Sequence, residues 1–476
     1  MADIEGKVVE SKRARKRKAK TESRKQHEKV PKVKNIKNPG FDNELLKETT
    51  CYLRNGLRCV HPYYFTFTTY CKGRWVGRSL IDVFKEEFQS ETQEYYEKAI
   101  TAGKITVNGD VASCKTILKD NDIICNKVHR HEPPVVGNPL EIIELTDELV
   151  VLNKPSSIPV HPCGRYRHNT IVFLLGKEHG LTNLFTIHRI DRLTSGILMF
   201  ARILSKAQEL ESQVRNRQIE KEYVCKVQGE FPSEEVLCEE PIVVVSHKIG
   251  VCRVSRDGKP CKTLFKKISY DGNSSIVKCV PHTGRMHQIR VHLQWLGYPI
   301  INDPIYNHES WGPLRGKHGV SDQLVYKVIS ELAKSSTITT INSTNCNDAE
   351  RQKEQYSQTS TCDLIDQAGS SEFEETNSSN KDESVEQQSC VVQVMNSRDN
   401  GDCLNQDSQS CTDTTEQYYD KDCSECQIIR RDPTRSELIM CLHAVSYKGP
   451  DWEFKTGLPS WAEEEKETSS PLITEK

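Results

Sequence analysis

The stretch His188–Ala201 reads HRIDRLTSGILMFA. Its second half, Ile197 to Ala201, is a run of apolar residues, the pattern of a buried strand. Its first half sets the carboxylate of Asp191 between Arg189 and Arg192, and Thr194-Ser195-Gly196 supplies turn chemistry before the buried run. Loops carried by rigid strands are where reactive side chains concentrate. Asp191 therefore has two readings: a turn carboxylate paired with a neighbouring arginine, or a carboxylate placed to react.

Working outward, residues 140–320 read as a β-rich α+β domain. LEIIELTDELVVLNKP is strand, turn and strand ended by Pro155, and LFTIHRID and GILMFAR are candidate strands on either side of the Asp191 turn. SKAQELESQVRNR has helical spacing at Ala207, Leu210 and Val214. EKEYVCKVQG alternates, with Tyr223 and Cys225 on one face and Val224 and Lys226 on the other, and SSIVKCVP is a further strand. HTGRMHQIRVHLQWLGYP takes helical period from near Thr283, with Met286, Ile289, Leu293 and Leu296 as its apolar stripe and a stop at Gly297 and Pro299. His287, Arg290 and Gln294 share a polar stripe on that helix. If the stripe faces a cleft, Arg290 can hold Asp191 ionised, which a carboxylate nucleophile requires. Tyr223 reads either as a core tyrosine or as a reactive phenol. The loop HPCGRYRHNT, His161 to Thr170, sets Arg165, Arg167 and His168 around Tyr166, which suits either RNA or solvent.

The net charge of -2 over 476 residues hides an asymmetry. Residues 1–40 carry 14 lysines and arginines against five acids, while residues 342–427 carry 19 acids against five bases. The first segment is expected to be a disordered basic tail, serving as a nuclear localisation signal or a nucleic-acid arm. Residues 335–427 are expected to be a disordered acidic and polar insertion. The insertion interrupts one domain, because ELIMCLHAVSYKG (437–449) is an apolar strand that would rejoin the sheet. Ahead of the domain, residues 73–127 offer two helix-spaced segments, RSLIDVF and YYEKAITA, and the hairpin signal KITVNGD. This order resembles the S4 RNA-binding module, although Tyr95, Tyr96 and Glu97 stand where S4 helices usually carry Arg and Ser. No apolar run marks a secretory signal or a membrane span, so the 19 cysteines read as reduced thiols. Cys423-Ser424-Glu425-Cys426 is half a zinc site, which His443 or another cysteine could complete. A zinc deaminase is excluded, because HRHEPP (129–134) lacks the required H-x-E spacing and no PCxxC occurs.

Together, VVLNKPSSIPVHP, HRIDRLTSG, KEYVCKV, HTGRMHQIRVHLQWLGYPIINDPIY and CLHA resemble the RluA family of RNA pseudouridine synthases. CKGRWVGRSL, HPCGRYRHN and the CSEC…DP…ELIMCLHAVSYKGPDWEF ending are similar to a eukaryotic branch that includes tRNA uridine-32 synthases. The resemblance implies an α+β fold, with a mixed, mainly antiparallel bent sheet and flanking helices over 140–320 plus 437–462, preceded by the S4-like unit. It implies that Asp191 acts on the ribose of a uridine so that the N-glycosidic bond breaks and the freed uracil rejoins through C5. Tyr223 then packs on the base and assists proton transfer at C5, and Arg290 pairs with Asp191. Arg189 enters the RNA stack left by the flipped uridine, and Lys154, Arg165, Arg167 and His287 are the other expected RNA contacts.

No metal and no organic cofactor is expected, because the reaction is an isomerisation within the substrate. The expected partner is RNA, either tRNA (position 32 of the anticodon loop) or mRNA, with no membrane and the chain a monomer in the nucleus or cytoplasm. Two departures stand out: Ile190 where the family usually has Leu, and Met286 where Thr or Ser is common. The competing reading is a non-catalytic S4-type RNA-binding protein. The trio Asp191, Tyr223 and Arg290 favours the enzyme, since binding alone needs none of them.

Overall fold

The run Ile197–Ala201 is buried on both faces because its strand, β11 (Ser195–Ala201), lies inside a ten-stranded sheet with a core on each side. The computed structural model describes residues 43–88, 91–247, 249–338, 418–428 and 430–463. On one side β11 pairs antiparallel with β9 (Leu149–Lys154), and β9 with β8 (Glu141–Leu145). On the other side β11 pairs in parallel with β18 (Leu442–Lys448). Antiparallel pairings then run through β12 (Glu220–Gln228), β17 (Ser274–Pro281), β16 (Thr263–Tyr270) and β13 (Val236–Cys238). β10 (Phe185–Thr186) adds to β11, and β19 (Glu453–Lys455) to β18.

Alternation along β11 assigns its side chains to the two cores. Ile197 and Met199 join Val151, Cys225, Ile289 and Leu293, the last two from the helix Gln288–Leu296. Leu198 and Phe200 join Val150, Leu152 and the helix Ile171–His179 on the opposite face. Each such side chain stabilises the fold by about 1.5–3 kcal/mol on burial. A one-residue slip would exchange the two sets, so the register is strongly specified.

The parallel β11–β18 contact explains the glycine in TSG. Gly196 has φ +106°, and a Cβ there would lie 2.2 Å from the Ala444 carbonyl oxygen and 2.5 Å from its nitrogen. Beside it the His443 ring bridges two hydroxyls, its Nδ1 2.8 Å from Ser195 Oγ and its Nε2 2.7 Å from Thr456 Oγ1.

Three boundaries differ from the sequence expectation. The rejoining segment begins as a helical turn, Arg435–Leu438, closed by a Thr434/Glu437 capping box, and becomes strand only at Leu442. LFTIHRID is strand only at Phe185–Thr186, because beyond it the His188 Nε2 accepts the Met199 N–H at 3.2 Å, where a ladder carbonyl would otherwise sit. The helix expected from Thr283 begins at Gln288, after His287 in the left-handed region at φ +55°. The Gln288 side chain holds the preceding residues as a loop, its Oε1 accepting from Thr283 Oγ1 at 2.7 Å and from the Arg285 N–H at 3.0 Å.

The N-terminal unit has the expected two helices, Leu80–Glu87 and Gln93–Thr101, capped by Ser79 and Thr92. The hairpin of β4 (Ile105–Val107) and β5 (Asp110–Val111) turns at Asn108-Gly109, both at positive φ. The unit is wider than 73–127, because β3 (Tyr63–Tyr70) pairs along the whole of β6 (Ile123–Arg130). Tyr96 is a core residue here, its hydroxyl donating to the Phe88 carbonyl at 2.6 Å. A small sheet of β1 (Cys51–Arg54), β2 (Leu57–Val60) and β7 (Val135–Val136) follows the chain toward the larger domain. The hairpin of β14 (Ile242–Ser246) and β15 (Val251–Val254) packs on the helix Gln288–Leu296.

The expected disorder of residues 1–40 and 339–417 lies outside the described residues. At the ends of the insertion the expectation is corrected. The helix Asp322–Ile338 runs into it, and residues 418–428 are docked: Tyr418 stacks on His61 at 4.2 Å, and Asp420 accepts from the Tyr64 hydroxyl at 2.9 Å. Among the described residues no helix is long and apolar enough to cross a membrane.

Gly196→Ala should destabilise the chain by about 3 kcal/mol or more, combining positive-φ strain with a backbone clash. Urea denaturation of the purified variant checks this, and a shift within error of wild type would refute the account of the β11–β18 contact.

Candidate active site

Asp191 sits on the turn entering β11, which a Thr194 N–H to Asp191 carbonyl bond of 3.1 Å closes. Two neighbouring interactions fix that turn from below. Lys154, the last residue of β9, points its Nζ at three carbonyls: Pro155 and Ile158 at 2.8 Å and Arg192 at 3.0 Å. Ser156 Oγ donates to the Leu193 carbonyl. Lys154 is 0 % exposed, and burial pulls its pKa well down. It therefore anchors the backbone beside Asp191 and does not contact RNA, which corrects the sequence expectation.

The Asp191 carboxylate, one-third exposed, accepts one hydrogen bond, from Arg290 Nη1 to Oδ2 at 2.9 Å. Its other oxygen takes no hydrogen bond from the described residues. The rest of the Arg290 fork belongs to Asp303, with Nε to Oδ2 at 2.7 Å and Nη2 to Oδ1 at 2.9 Å. Asp303 also accepts the N–H groups of Ile305 at 2.9 Å and Tyr306 at 3.0 Å, so this buried carboxylate is fully engaged. Burial opposes the ionised forms of all three groups, but attraction wins: Asp191 is held by the positive charge of His287, protonated at the low pH where Asp191 titrates, and by that of Arg290, while Asp303 and Arg290 hold each other. Asp191 and Asp303 are held below the usual carboxylate value, and Arg290 is pushed above the usual guanidinium value.

His287 faces the same oxygen, its Nε2 being 3.5 Å from Asp191 Oδ2. Its tautomer follows from a hydrogen-bond chain. The Tyr306 hydroxyl accepts the Cys252 N–H at 3.0 Å, and with His287 Nδ1, 2.8 Å away, as the acceptor for its buried O–H, the imidazole proton is assigned to Nε2. Burial and the adjacent Arg290 push His287 down to about 4, so it is neutral at neutral pH and Arg290 is the counter-charge. His287 therefore lies inside the site beside Asp191, and not on an outer RNA-facing rim.

Tyr223 reaches the site from β12, and its hydroxyl shares a short hydrogen bond with that of Tyr447 on β18. Tyr447 is fully buried with no other described acceptor, so it donates and leaves the Tyr223 O–H free. Burial pushes Tyr223 up to about 12, keeping it a neutral phenol. The result is an ionised carboxylate with one free oxygen, a neutral phenol and a fixed guanidinium. Such a set can act on an electrophilic or weakly acidic centre and move a proton nearby.

Around this centre Arg189 is exposed and makes no hydrogen bond among the described residues, and the Arg192 guanidinium lies 5.5 Å from the Tyr166 ring centroid. Arg165 pairs with Glu425 at 2.8 Å. Arg167 corrects the expectation a second time. It is 6 % exposed, forked onto Glu48 at 2.9 and 3.0 Å, with its guanidinium 4.4 Å from the Phe65 ring centroid and 5.2 Å from that of Phe173. The buried Glu132 shapes that loop, accepting the N–H groups of Arg167, His168 and Asn169 at 2.8–2.9 Å and the Tyr63 hydroxyl at 2.8 Å.

Asp303, Tyr306 and Tyr447 were not singled out from the sequence. The Asp303-Pro304 turn just after the helix stop was the available signal for the first, while the tyrosines carry none.

Comparison with known proteins agrees with this geometry. Residues 148–295 match the family model described as RNA pseudouridylate synthase. The chain is 47% identical over 435 residues to pseudouridylate synthase RPUSD2 of Mus musculus, covering 89% of this chain and 75% of that one. It is 45% identical to its Homo sapiens counterpart, over 89% of this chain and 77% of that one. It is 46% identical to the mitochondrial tRNA pseudouridine(32) synthase of Saccharomyces cerevisiae, over 58% of this chain and 61% of that one.

Two outcomes follow from this site. Lys154→Met leaves three carbonyls unpaired and should cost at least about 2 kcal/mol in urea denaturation. Three buried histidines set the second: His188 is pushed down to about 3, and His287 and His443 to about 4, against an ordinary 6.5. Below 6.5 the unfolded chain binds protons that the folded chain refuses, so stability falls as pH drops toward those folded values. Each histidine contributes a slope approaching about 1.4 kcal/mol per pH unit. Asp191 and Asp303, held below 3.8, add losses only at lower pH. A urea midpoint unchanged between about pH 7 and about pH 5 would show that these imidazoles are not buried neutral.

Proposed function

From the premise that this chain belongs to the family of RNA pseudouridylate synthases, we infer that Asp191, Tyr223 and Arg290 carry the isomerisation of uridine in tRNA. The chain is an RNA pseudouridine synthase. The observation that supports the site assignment is the division of the Arg290 fork: Asp303 takes two donors and leaves one for Asp191. A carboxylate forked by a guanidinium has both oxygens engaged, whereas Asp191, also ionised, keeps Oδ1 available to the ribose.

In this reading Asp191 acts on the ribose of a uridine flipped out of the stack, and the glycosidic bond to N1 breaks. The released uracil turns and rejoins through C5, and the C5 proton then leaves. Tyr223, a free neutral phenol at the base-facing position, packs on the uracil and assists that transfer. Arg189, exposed and uncommitted beside the carboxylate, fills the stack that the uridine vacates. Arg165 adds a contact at the loop 161–170.

The substrate reading rests on relatives: one is named a tRNA pseudouridine(32) synthase and another a tRNA pseudouridine(31) synthase. Uridine 32 of the anticodon loop is the proposed target here, with other tRNA or mRNA sites as secondary substrates. The N-terminal unit acts as an S4-like RNA platform in this reading. Its β3 exposes Tyr64, Phe67 and Tyr70, and Lys127 and Arg130 lie 4.8 and 5.4 Å from the Tyr64 and Phe67 rings, the pairing that stacks and neutralises single-stranded RNA. The chain works as a monomer, and the basic segment Lys12–Lys20 directs it to the nucleus, which a fluorescent fusion lacking residues 1–40 tests.

Chemical mapping of pseudouridine in transcribed tRNA decides the matter. Wild type should modify the anticodon loop, Asp191→Ala should leave it unmodified while still binding, and Tyr223→Phe should slow the step by about 10²-fold or more. Equal modification by wild type and Asp191→Ala would overturn the assignment, and binding by wild type without modification of any RNA would favour a binding module. Arg189→Ala should weaken RNA binding and reduce the salt slope by about one.

A further inference from the structure

Two sequence features absorbed by neither the fold nor the reaction meet in space. HRHEPP supplies His129 at the end of β6 and His131 just after it, and CSEC supplies Cys423 and Cys426 from the returning end of the insertion, up to 297 residues away. Their four donor atoms lie within 4.8 Å of one another. His443, the residue offered by the sequence as a completing ligand, is engaged elsewhere with Ser195 and Thr456. We propose that His129, His131, Cys423 and Cys426 bind a structural zinc ion that fastens residues 418–428 to the N-terminal sheet.

Four of the six separations are those of a tetrahedron. With Zn–S of about 2.3 Å and Zn–N of about 2.0–2.1 Å, its edges are about 3.3 Å between nitrogens and about 3.6 Å between nitrogen and sulfur. The His129 Nδ1 to His131 Nε2 separation is 3.2 Å. Cys426 Sγ is 3.4 Å from each of these nitrogens, and Cys423 Sγ is 3.6 Å from His131 Nε2. Ordinary hydrogen bonding does not account for this convergence. His131 Nε2 faces three donor atoms at once, and one N–H or one lone pair serves only one of them. A cation at their centre serves all four, and two thiolates with two neutral imidazoles leave the zinc site uncharged.

The surroundings suit thiolate ligands. The Asp420 N–H donates to Cys426 Sγ at 3.3 Å. Lys104, Arg165 and Arg430 lie nearby, paired with Asp420 and Glu425 of the same segment. Four protein ligands close the coordination sphere, and none of them belongs to the Asp191 centre, so the role is structural. Soft sulfur paired with imidazole selects zinc among the abundant divalent ions.

Where it fastens gives the site its purpose. His131 precedes Glu132, which shapes the loop 167–169, and residues 430–441 lead from Cys426 into β18 with its Tyr447. The zinc fixes the point at which the chain returns to the catalytic sheet.

The test uses the full-length chain, purified under reducing conditions and dialysed against metal-free buffer. Elemental analysis should find about one zinc per chain, and a mercurial should release it stoichiometrically as the thiols react. Cobalt substitution should give the thiolate charge-transfer band and intense visible bands of a tetrahedral sulfur-bound ion. Cys423→Ser/Cys426→Ser should lose the metal and expose residues 418–430 to protease, while Cys163→Ser keeps it. If the double variant does not fold, His129→Cys, which preserves a ligand, should retain the metal. Wild-type chain that holds no zinc and develops no cobalt–thiolate band overturns the proposal, as does a Cys423–Cys426 disulfide in anaerobically purified chain. Asp191→Ala should keep its zinc, so this outcome is separate from that of the uridine assay.

Discussion

One buried guanidinium sets the state of the Asp191 carboxylate. Arg290 would be costly in the interior without compensation, and an isolated Asp191 beside it would simply be consumed as its salt-bridge partner. Asp303 resolves both problems. By taking Nε and Nη2 and accepting two backbone N–H groups, it neutralises the arginine and fixes the plane of its fork. Asp191 then receives one directed hydrogen bond and enough positive potential to remain ionised. The unit is an ordered row of acid, base and acid, in which the buried acid, Asp303, is structural and the other, Asp191, is one-third exposed.

That row works only if its members, which come from distant parts of the chain, are held to within a few tenths of an ångström. The sheet does this through contacts that leave little room for adjustment. Gly196 lets β11 and β18 approach closer than any side chain allows, Lys154 gathers three carbonyls under the Asp191 turn, and Tyr447 on β18 orients the Tyr223 hydroxyl on β12. Each is a polar or steric device inside an apolar frame, and each is satisfied completely. Partly satisfied, any of them would cost more than an apolar replacement.

How far this was legible in the sequence follows from how local each signal is. The ILMFA run announced a buried strand, and spacing along the HQIR helix was enough to suggest that Arg290 could meet Asp191. Lys154 and Arg167 were misread as RNA contacts because a cationic side chain near a loop looks the same in sequence whether it faces solvent or three carbonyls. The helix start was misplaced because apolar spacing from Met286 onward fits a helix, while the Gln288 side chain that holds the preceding loop open is a tertiary interaction. Asp303, Tyr447 and Glu132 act through partners that no periodicity connects to them. The N-terminal unit was underestimated at its edge because β3 carries exposed aromatics, which weaken the alternation that marks a half-buried strand.

The position of β18 makes the long insertion a physical problem. A central strand, bonded to both β11 and β12, is supplied by chain that lies beyond the insertion, so the sheet stays open until that chain returns. Closing an intervening loop of about 80 residues carries an entropic cost that grows only logarithmically, each doubling adding about 0.6 kcal/mol, so length alone is tolerable. What length does not supply is direction: β18 must arrive in one register, in parallel beside Gly196. Docking residues 418–428 through Tyr418 on His61, Asp420 on Tyr64 and the His129–His131–Cys423–Cys426 cluster shortens the free chain before β18 to little more than the Thr434-capped turn. The anchor therefore converts a long-range strand addition into a short-range one, and the insertion can vary in length without disturbing the carboxylate that the sheet holds.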